Sequence, residues 1–427
     1  ATGTSAAYSS IPNKNSFCVA MSSGESSVSD KFNFGATPSQ QLTVASGNAD
    51  ANGYGNFEYA PPSGFLALCT ANLPEIEIGQ EEDDLAHDFF NTVIYTGNGS
   101  SGHSITGMGF SPDLLWMMPR SSGDNGHQFD IARGTTKKLK LNAEDAEDTN
   151  DPPLITFESD GFDIDTTDAN YNGNTNTYVA WGWKMGTAVS GTTTGSGTGK
   201  AYSGEVNADS GCGVLKFIGN GTSGHTIPHH LNSAPEFIVS RRTNSSNAWY
   251  VYHVGTDVSA PQDKYMSLDT TSAVSDQTAM WNDTAPSSSV ITVGDSSGTN
   301  SNTDSYVLTY MHSVEGFSKF GRYEAAGGTQ QFVSTGFPVG WLMVKRVDSS
   351  DNWTIHDIGR DSTGNPSDSY LLVDDTASEA TFSTALVDFY SNGFCWKGAV
   401  NYGNNASGTY LFVAFSRGTG FKYSTAI

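Results

Sequence analysis

Cysteine is scarce in this chain of 427 residues, and its spacing gives no pairing pattern. The four cysteines are far apart and include no Cys-x-x-Cys pair: Cys18, Cys69, Cys212 and Cys395. This spacing argues against a zinc site and predicts buried free thiols, as in proteins made in a reducing cytoplasm. Long apolar runs are also missing, so we expect no membrane insertion.

Positively charged residues are also few. The chain has 21 Lys and Arg against 45 Asp and Glu, which gives a formal net charge of −24. Nucleic acid is not expected as a partner, because its binding needs a cationic face that replaces phosphate counterions. We interpret the acidity as a source of solubility and of repulsion between copies. Scattered Ca²⁺ sites are the alternative, but no EF-hand-like spacing supports them, so no metal or cofactor is expected.

The sequence offers many carboxylates but no pattern that indicates an enzyme. A glycosidase or depolymerase needs two carboxylates at a defined separation in a cleft, one of them with a raised pKa. Sequence spacing in a repetitive β protein predicts no such geometry. We therefore predict that the chain is not an enzyme, and we assign no catalytic residue.

Glycine and aromatic residues are plentiful, with 47 Gly, 8 Trp, 18 Tyr and 23 Phe. Short apolar runs alternate with segments rich in Ser, Thr, Asn and Asp. Such a balance favours many short strands joined by polar turns, and the aromatic residues supply enough apolar surface for buried cores. The composition predicts an all-β fold.

Internal repeats divide most of the chain. A Gly-Asn-Gly-(Ser/Thr)-Ser-Gly-His segment occurs at 97–103 and again at 219–225. Trp249 and Trp353 are 104 residues apart, as are Tyr306 and Tyr410. A Phe-x-Ser-(Asp/Asn)-Gly-Phe hairpin signal occurs in the first and third repeats, at 157–162 and 389–394, but not in the second. These spacings predict three homologous β-sandwich units.

The predicted boundaries follow from the repeats. We place the first sandwich at residues 87–186, a flexible Gly/Ser/Thr linker at 187–210, the second sandwich at 211–316 and the third at 317–427. Residues 1–86 differ, because they look short of strands for a closed sandwich and end in an acidic run at 81–84 that predicts a solvated linker. We expect the missing strands of that domain upstream of Ala1.

The first repeat carries four motifs that point to a known family: Tyr-Thr-Gly-Asn-Gly-Ser at 95–100, Phe-Ser-Pro-Asp-Leu-Leu-Trp at 110–116, Ser-Asp-Gly-Phe at 159–162 and Thr-Tyr-Val-Ala-Trp-Gly-Trp at 177–183. Together they resemble the repeat units of tail-fibre-like structural proteins of marine and cyanobacterial phages. The segment 59–74 is similar to the closing part of a SPRY- or lectin-like (concanavalin-like) sandwich, so residues 1–86 are expected to be a partial domain of that kind. The resemblance transfers no catalytic residue.

What this resemblance implies is a subunit at the virion surface. It would be a homo-oligomer, with a trimer expected, in contact with other virion proteins and with a glycan of the host surface. We expect attachment by multivalent, non-catalytic binding. The alternatives are a capsid decoration or filament-forming protein without a receptor role, and a tailspike polysaccharide depolymerase.

Four aromatic residues are the candidate ligand-binding residues. Trp249, Tyr250, Tyr252 and Trp353 follow Ser/Asn-rich loops, and aromatic faces beside Asn and Asp are used in weak sugar recognition. The alternative is that the tryptophans fill the sandwich cores.

Two further sets of residues recur in matching places. His103 and His225 lie in the opening turns of the first two repeats, where a turn-stabilising or surface role is favoured over a metal site. Three arginines end the corresponding apolar strands, and we expect them to pair with acidic neighbours or carbonyl groups: Arg120, Arg242 and Arg346.

Overall fold

The computed structural model describes residues 47–57, 59–67, 69–72, 85–150, 152–328, 330–361, 365–381 and 387–417. The chain divides into two compact units, residues 1–75 and residues 76–427. Cys18 and the acidic run at 81–84 lie outside the described residues.

In the described part of the first unit, the Asp50 carboxylate organises a loop. It accepts hydrogen bonds from the backbone N–H groups of Asn52, Tyr54 and Ala67 and from the Asn72 side chain. A 3₁₀ turn covers Thr70–Asn72, and an isolated bridge joins Asn48 to Phe57. The SPRY- or lectin-like assignment for this unit stays a prediction.

The second unit contains three repeats of antiparallel strands. The first repeat contains a 3₁₀ turn (Ala86–Asp88), β1 (Phe90–Thr96), β2 (His103–Thr106), β3 (Leu114–Pro119), β4 (His127–Asp130), β5 (Lys137–Lys140), β6 (Asp148–Thr149), β7 (Ile155–Glu158), β8 (Gly161–Ile164), α1 (Ala169–Asn172) and β9 (Thr177–Trp183).

The second repeat contains β10 (Thr187–Thr192), β11 (Thr194–Gly195), β12 (Ala201–Asn207), β13 (Cys212–Ile218), β14 (His225–Pro228), β15 (Phe237–Arg242), β16 (Trp249–His253), a 3₁₀ turn (Pro261–Asp263), β17 (Lys264–Ser267), β18 (Ser275–Asp276), α2 (Thr278–Trp281), β19 (Val290–Val293) and β20 (Ser305–Met311). The third contains β21 (Ser318–Glu324), β22 (Gln331–Ser334), β23 (Val339–Arg346), β24 (Thr354–Asp357), β25 (Ser369–Leu372), β26 (Ala380–Thr381), β27 (Val387–Tyr390), β28 (Gly393–Trp396) and β29 (Thr409–Ser416).

Each repeat is a sandwich of one large and one three-stranded sheet. The large sheets have the orders β1-β9-β3-β4-β5-β6, β10-β12-β13-β20-β15-β16-β17-β18 and β21-β29-β23-β24-β25-β26. The small sheets have the orders β2-β8-β7, β11-β14-β19 and β22-β28-β27. The prediction of an all-β chain with three tandem β-sandwiches is confirmed.

The large sheets are buried on both faces, which explains their nearly continuous apolar sequences. In β9, Ala180 points into the core of the first sandwich, whereas Val179, Trp181 and Trp183 point to the opposite side. Both faces are covered, so apolar residues occupy successive positions instead of alternating with polar ones.

The second faces of the three large sheets meet in one shared core. Ring contacts cross between the repeats there: Trp181 and Trp183 of the first repeat contact Trp341 of the third, and Phe237 stacks on Phe320. The second repeat contacts both the first and the third, through the hydrogen bonds described below. The three sandwiches therefore close into a ring around this core. Each sandwich keeps a smaller core of its own.

The segment predicted to be a flexible linker forms strands of the second sandwich. β10 and β12 extend its large sheet, and β11 pairs with β14 in its small sheet. The second repeat has no counterpart of β7, consistent with its missing hairpin signal, and β11 adds a third strand on the opposite side of β14. The polar Ser/Thr/Gly sequence of 187–199 reflects an exposed sheet edge, which the composition alone does not distinguish from a linker.

Candidate functional site

Strand register defines equivalent positions in the three repeats. Leu114, Phe237 and Trp341 pair with Trp183, Met311 and Phe415, respectively, on the central strands β9, β20 and β29. Counting from these pairs, Trp249 and Trp353 are equivalent, and Gly126 occupies the same position in the first repeat. Arg242 and Arg346 are likewise equivalent, and Arg120 lies one position further along.

Trp249 and Trp353, two of the predicted ligand-binding residues, lie between repeats. They are 1% and 0% exposed. The Trp249 indole N–H donates to the Lys140 carbonyl of the first repeat at 2.8 Å, and that of Trp353 donates to the Ser267 carbonyl of the second repeat at 2.8 Å. Neither indole presents a face on which a sugar ring can stack, so the structure gives these residues the role of anchors between sandwiches.

Tyr250 and Tyr252, the other two, are also unsuited to stacking. Tyr252 is buried in the core of the second sandwich, 6.0 Å from the Trp281 ring. Tyr250 is half-buried against Tyr265 and lies so close to Gly298 that a Cβ there would approach its ring to 2.3 Å. The loops before these aromatic residues are polar, but the strands that carry them are buried on both faces. The sequence does not reveal that the second face of each strand is also buried.

One backbone hydrogen bond recurs at all three boundaries between repeats. The N–H of Glu147 donates to Thr243 O at 2.8 Å, that of Val274 to Val347 O at 3.0 Å, and that of Glu379 to Arg120 O at 2.8 Å. The three acceptors occupy equivalent positions. The third bond joins the last repeat to the first, so it closes the ring between segments that are far apart in sequence.

A network of charged side chains lies at the boundary between the third and first repeats. Arg120 of the first repeat contacts Glu379 at 2.7 Å, and Glu379 also contacts Arg360 at 2.5 Å. Arg360 and its partner Asp357 are both fully buried, and the Trp181 indole of the first repeat donates to Asp357 at 3.3 Å. Charge-assisted bonds therefore hold this boundary, where Gly126 stands in place of the anchoring tryptophan.

The prediction for the other two arginines is confirmed as well. Arg242 pairs with Asp304 and Arg346 with Asp348, each at 2.9 Å and at the end of its strand. These pairs are local, whereas the Arg120 pair joins two repeats.

Two further positions beside the shared core are equivalent in the three repeats, and in the second and third repeats they hold a base and an acid. The second repeat has Arg241 and Asp269, and the third has Lys345 and Asp374, whereas the first repeat has the uncharged Met118 and Asn142. Burial raises the pKa of Asp269 and of Asp374 to about 6, and it lowers the pKa of Lys345 to about 8. The neighbouring opposite charges oppose these shifts. Where the base is absent, the acid is absent too.

A buried Asn and Tyr, six residues apart, shape the same turn in every repeat. The side-chain oxygen of Asn172 accepts a bond from Asn98 N–H, that of Asn300 from Asn220 N–H, and that of Asn404 from Gly327 N–H. The partner tyrosines donate to the carbonyl nine residues earlier: Tyr178 to Ala169, Tyr306 to Ser297 and Tyr410 to Asn401. The recurring Asn-x₅-Tyr spacing is the sequence signal for this turn, and the motifs named above do not include it.

The predicted turn role of the two histidines is confirmed. His103 Nδ1 lies 2.9 Å from the Asn172 side-chain oxygen, and His225 Nδ1 lies 2.8 Å from the Asn220 side chain. Burial lowers the pKa of His225, so the neutral ring is favoured in this turn.

One Gly-x-Ser-x-Gly sequence, at 294–298, matches the nucleophile elbow of serine hydrolases in spacing. Ser296 lies in the loop after β19, and its Oγ accepts a hydrogen bond from Gly298 N–H at 3.2 Å. An elbow needs a strand-to-helix turn that exposes the serine. This loop is followed by β20 instead, so the match belongs to a turn.

Across the described residues, His, Cys, Asp and Glu form no group of three that is suited to hold a metal ion. Among the helices of this described part, none is sufficiently long and apolar to cross a membrane.

The fold and its repeated boundaries define a ring of three β-sandwiches within one chain. The chain belongs to the family described as Domain of unknown function (DUF7483), which matches residues 86–418 and so includes all three repeats. No curated protein and no solved structure matches the chain.

Proposed function

We propose that the chain is a structural and binding subunit of a bacteriophage appendage, which attaches the virion to its host by non-catalytic contacts. The observation that carries the proposal is the closed ring, which fixes three sandwiches around a shared core and turns their small sheets outward. A rigid scaffold suits display, because contacts made from it lose little conformational freedom on binding.

The phage context rests on the motifs of the first repeat, which resemble units of tail-fibre-like proteins. On that resemblance we propose assembly into trimers and contact with other virion proteins at the particle surface. Several copies on one particle would let weak contacts act together, because linked sites bind at a high effective concentration.

Competition for adsorption tests the proposal. Purified chain is added to the host cells before phage particles that carry the same protein, and free particles are counted over time. The proposal predicts that the chain slows adsorption in proportion to its concentration, whereas serum albumin at equal concentration does not. Unchanged adsorption at saturating chain would contradict a receptor role and favour capsid decoration or filament formation.

A separate assay addresses the depolymerase alternative. Host surface polysaccharide is incubated with the chain, and newly formed reducing ends are measured. We expect none above the level of a heat-denatured control, and a sustained release would overturn the non-catalytic assignment.

A further inference from the structure

The small sheet of the third sandwich carries an exposed aromatic pair. Phe332 on β22 is 41% exposed, and Tyr390 on β27 is 39% exposed. Their rings are 5.9 Å apart between centroids, at an interplanar angle of 73°. Gly393 on the intervening strand leaves room for the Phe332 ring, since a Cβ there would lie 2.9 Å from it.

Polar groups lie directly beside this pair. The Tyr390 hydroxyl donates to an Asp388 carboxylate oxygen at 3.1 Å, and the Lys397 ammonium contacts the same oxygen. Register places Asp388 next to Cys395, which in turn pairs with Phe332. These side chains lie on one side of the small sheet, which we call the β22–β27 face (Phe332, Asp388, Tyr390, Cys395 and Lys397). Phe332, Tyr390 and Lys397 reach the solvent there, whereas Asp388 and Cys395 are only 8% and 4% exposed.

The same backbone positions are polar in the first sandwich. Ser104 and Glu158 stand there in place of Phe332 and Tyr390, and the second sandwich has Thr226 in place of Phe332. The sandwich thus forms without aromatic residues on this face. Folding does not explain why the third repeat exposes two.

The exposed area decides what kind of ligand fits. Two aromatic side chains that are about two-fifths exposed present roughly 150 Å², given about 150–250 Å² for each whole side chain. A stable protein interface buries about 800 Å² on each partner, so this face is too small to be one alone. A single sugar ring matches it, because its C–H face packs on aromatic rings while its hydroxyl groups bond to the neighbouring ammonium.

We propose that the β22–β27 face binds carbohydrate, with the sugar ring on Phe332 and Tyr390 and its hydroxyl groups on Lys397, whose ammonium Asp388 holds in place. This inference rests on the proposed attachment function and places its glycan contact on the third sandwich. A single such site is weak, with a dissociation constant on the order of 1 mM, so attachment would depend on many copies.

Saturation-transfer NMR of the full chain tests the site, with fragments of the host's surface polysaccharide as the probe. The combined variant Phe332→Ser and Tyr390→Glu takes its residues from the first repeat, so it is expected to fold. Val258→Ser is the matched control, because it removes an exposed apolar side chain elsewhere. We predict at least about a tenfold loss of affinity for the double variant and none for the control.

Two results would overturn the site. One is wild-type chain that binds none of the fragments, and the other is a folded double variant that binds as wild type does. The adsorption assay separates the two proposals: a double variant that still competes fully with phage leaves the attachment function standing and removes this face from it. Unchanged secondary structure by circular dichroism shows that a loss is not due to unfolding.

Discussion

His356 lies in the core of the third sandwich at the position that Phe129 and Tyr252 fill in the other two. Burial lowers its pKa to about 3, so the ring is neutral in the folded chain. In the unfolded chain the ring takes up a proton below about pH 6.5. The fold therefore loses stability as the pH falls from about 6.5 towards 3, because the unfolded state binds more protons there.

His356→Phe should reduce this sensitivity to acid. Between pH 7 and pH 5, we expect the variant to lose about 2 kcal/mol less unfolding free energy than wild type. His127, whose pKa burial also lowers to about 3, keeps some acid sensitivity in both proteins. Urea unfolding at the two pH values measures the difference, and equal losses in variant and wild type would contradict the account.

Lys345 and Asp374 give a second prediction for single residues, since the first repeat has Met118 and Asn142 in their places. Lys345→Met removes a charge that opposes the raised pKa of Asp374, and Asp374→Asn removes one that opposes the lowered pKa of Lys345, so each single variant should lose stability. We expect the double variant to be less destabilised than the sum of the single ones, by about 1–3 kcal/mol. Additive losses in a double-mutant cycle would show that the two side chains do not interact.

At the scale of the strands, the segment 187–199 distinguishes the paired strands of the structure from the flexible linker that the sequence predicts. A flexible linker would exchange its amide hydrogens at the rates of an unstructured peptide. Because β10 pairs with β12 along Thr187–Thr192, we predict slow exchange for those amides of β10 that face β12, and fast exchange for those that face solvent. Hydrogen exchange followed by NMR resolves this alternation, and uniformly fast exchange would favour the linker.

Sequence periodicity predicts the strands themselves better than it predicts which residues cover their faces. The segments with hairpin signals, 157–162 and 389–394, form the hairpins β7–β8 and β27–β28. Phe157 lies opposite Phe162, and Phe389 lies opposite Phe394. The spacing of 104 residues identifies Trp249 and Trp353 as equivalent, but their burial depends on a neighbouring repeat. A sequence pattern reports which residues share a face of a strand, and not what covers that face.

For the whole molecule, the ring closes between repeats that are far apart in the chain, and Arg120 is central to that closure. Arg120→Gln removes charge-assisted bonds to Glu379 at a largely buried boundary, so we expect a loss of about 1–3 kcal/mol of unfolding free energy. Arg346→Gln is the matched control, because its partner Asp348 is more exposed, and it should cost less than about 1 kcal/mol. Urea unfolding compares the two, and equal losses would argue against a special role for this boundary.

The spacing of the repeats predicted three sandwiches, but the shared core was not predicted. The linker expected after the first repeat would allow the first sandwich to move independently of the other two. The aromatic residues at the boundaries, such as Trp181 and Trp341, look in the sequence like ordinary core residues of a single sandwich. Their contact across repeats depends on the three-dimensional closure, and no local pattern encodes it.

Native-state hydrogen exchange on the full chain tests most directly whether the three sandwiches form one unit. The central strands are β9, β20 and β29, one from each repeat. Because all three contribute to the shared core, the account predicts that their slowest amides exchange with one common opening free energy and one common dependence on denaturant. Three distinct opening free energies, each with a smaller denaturant dependence, would show that the sandwiches unfold independently and would contradict the closed ring.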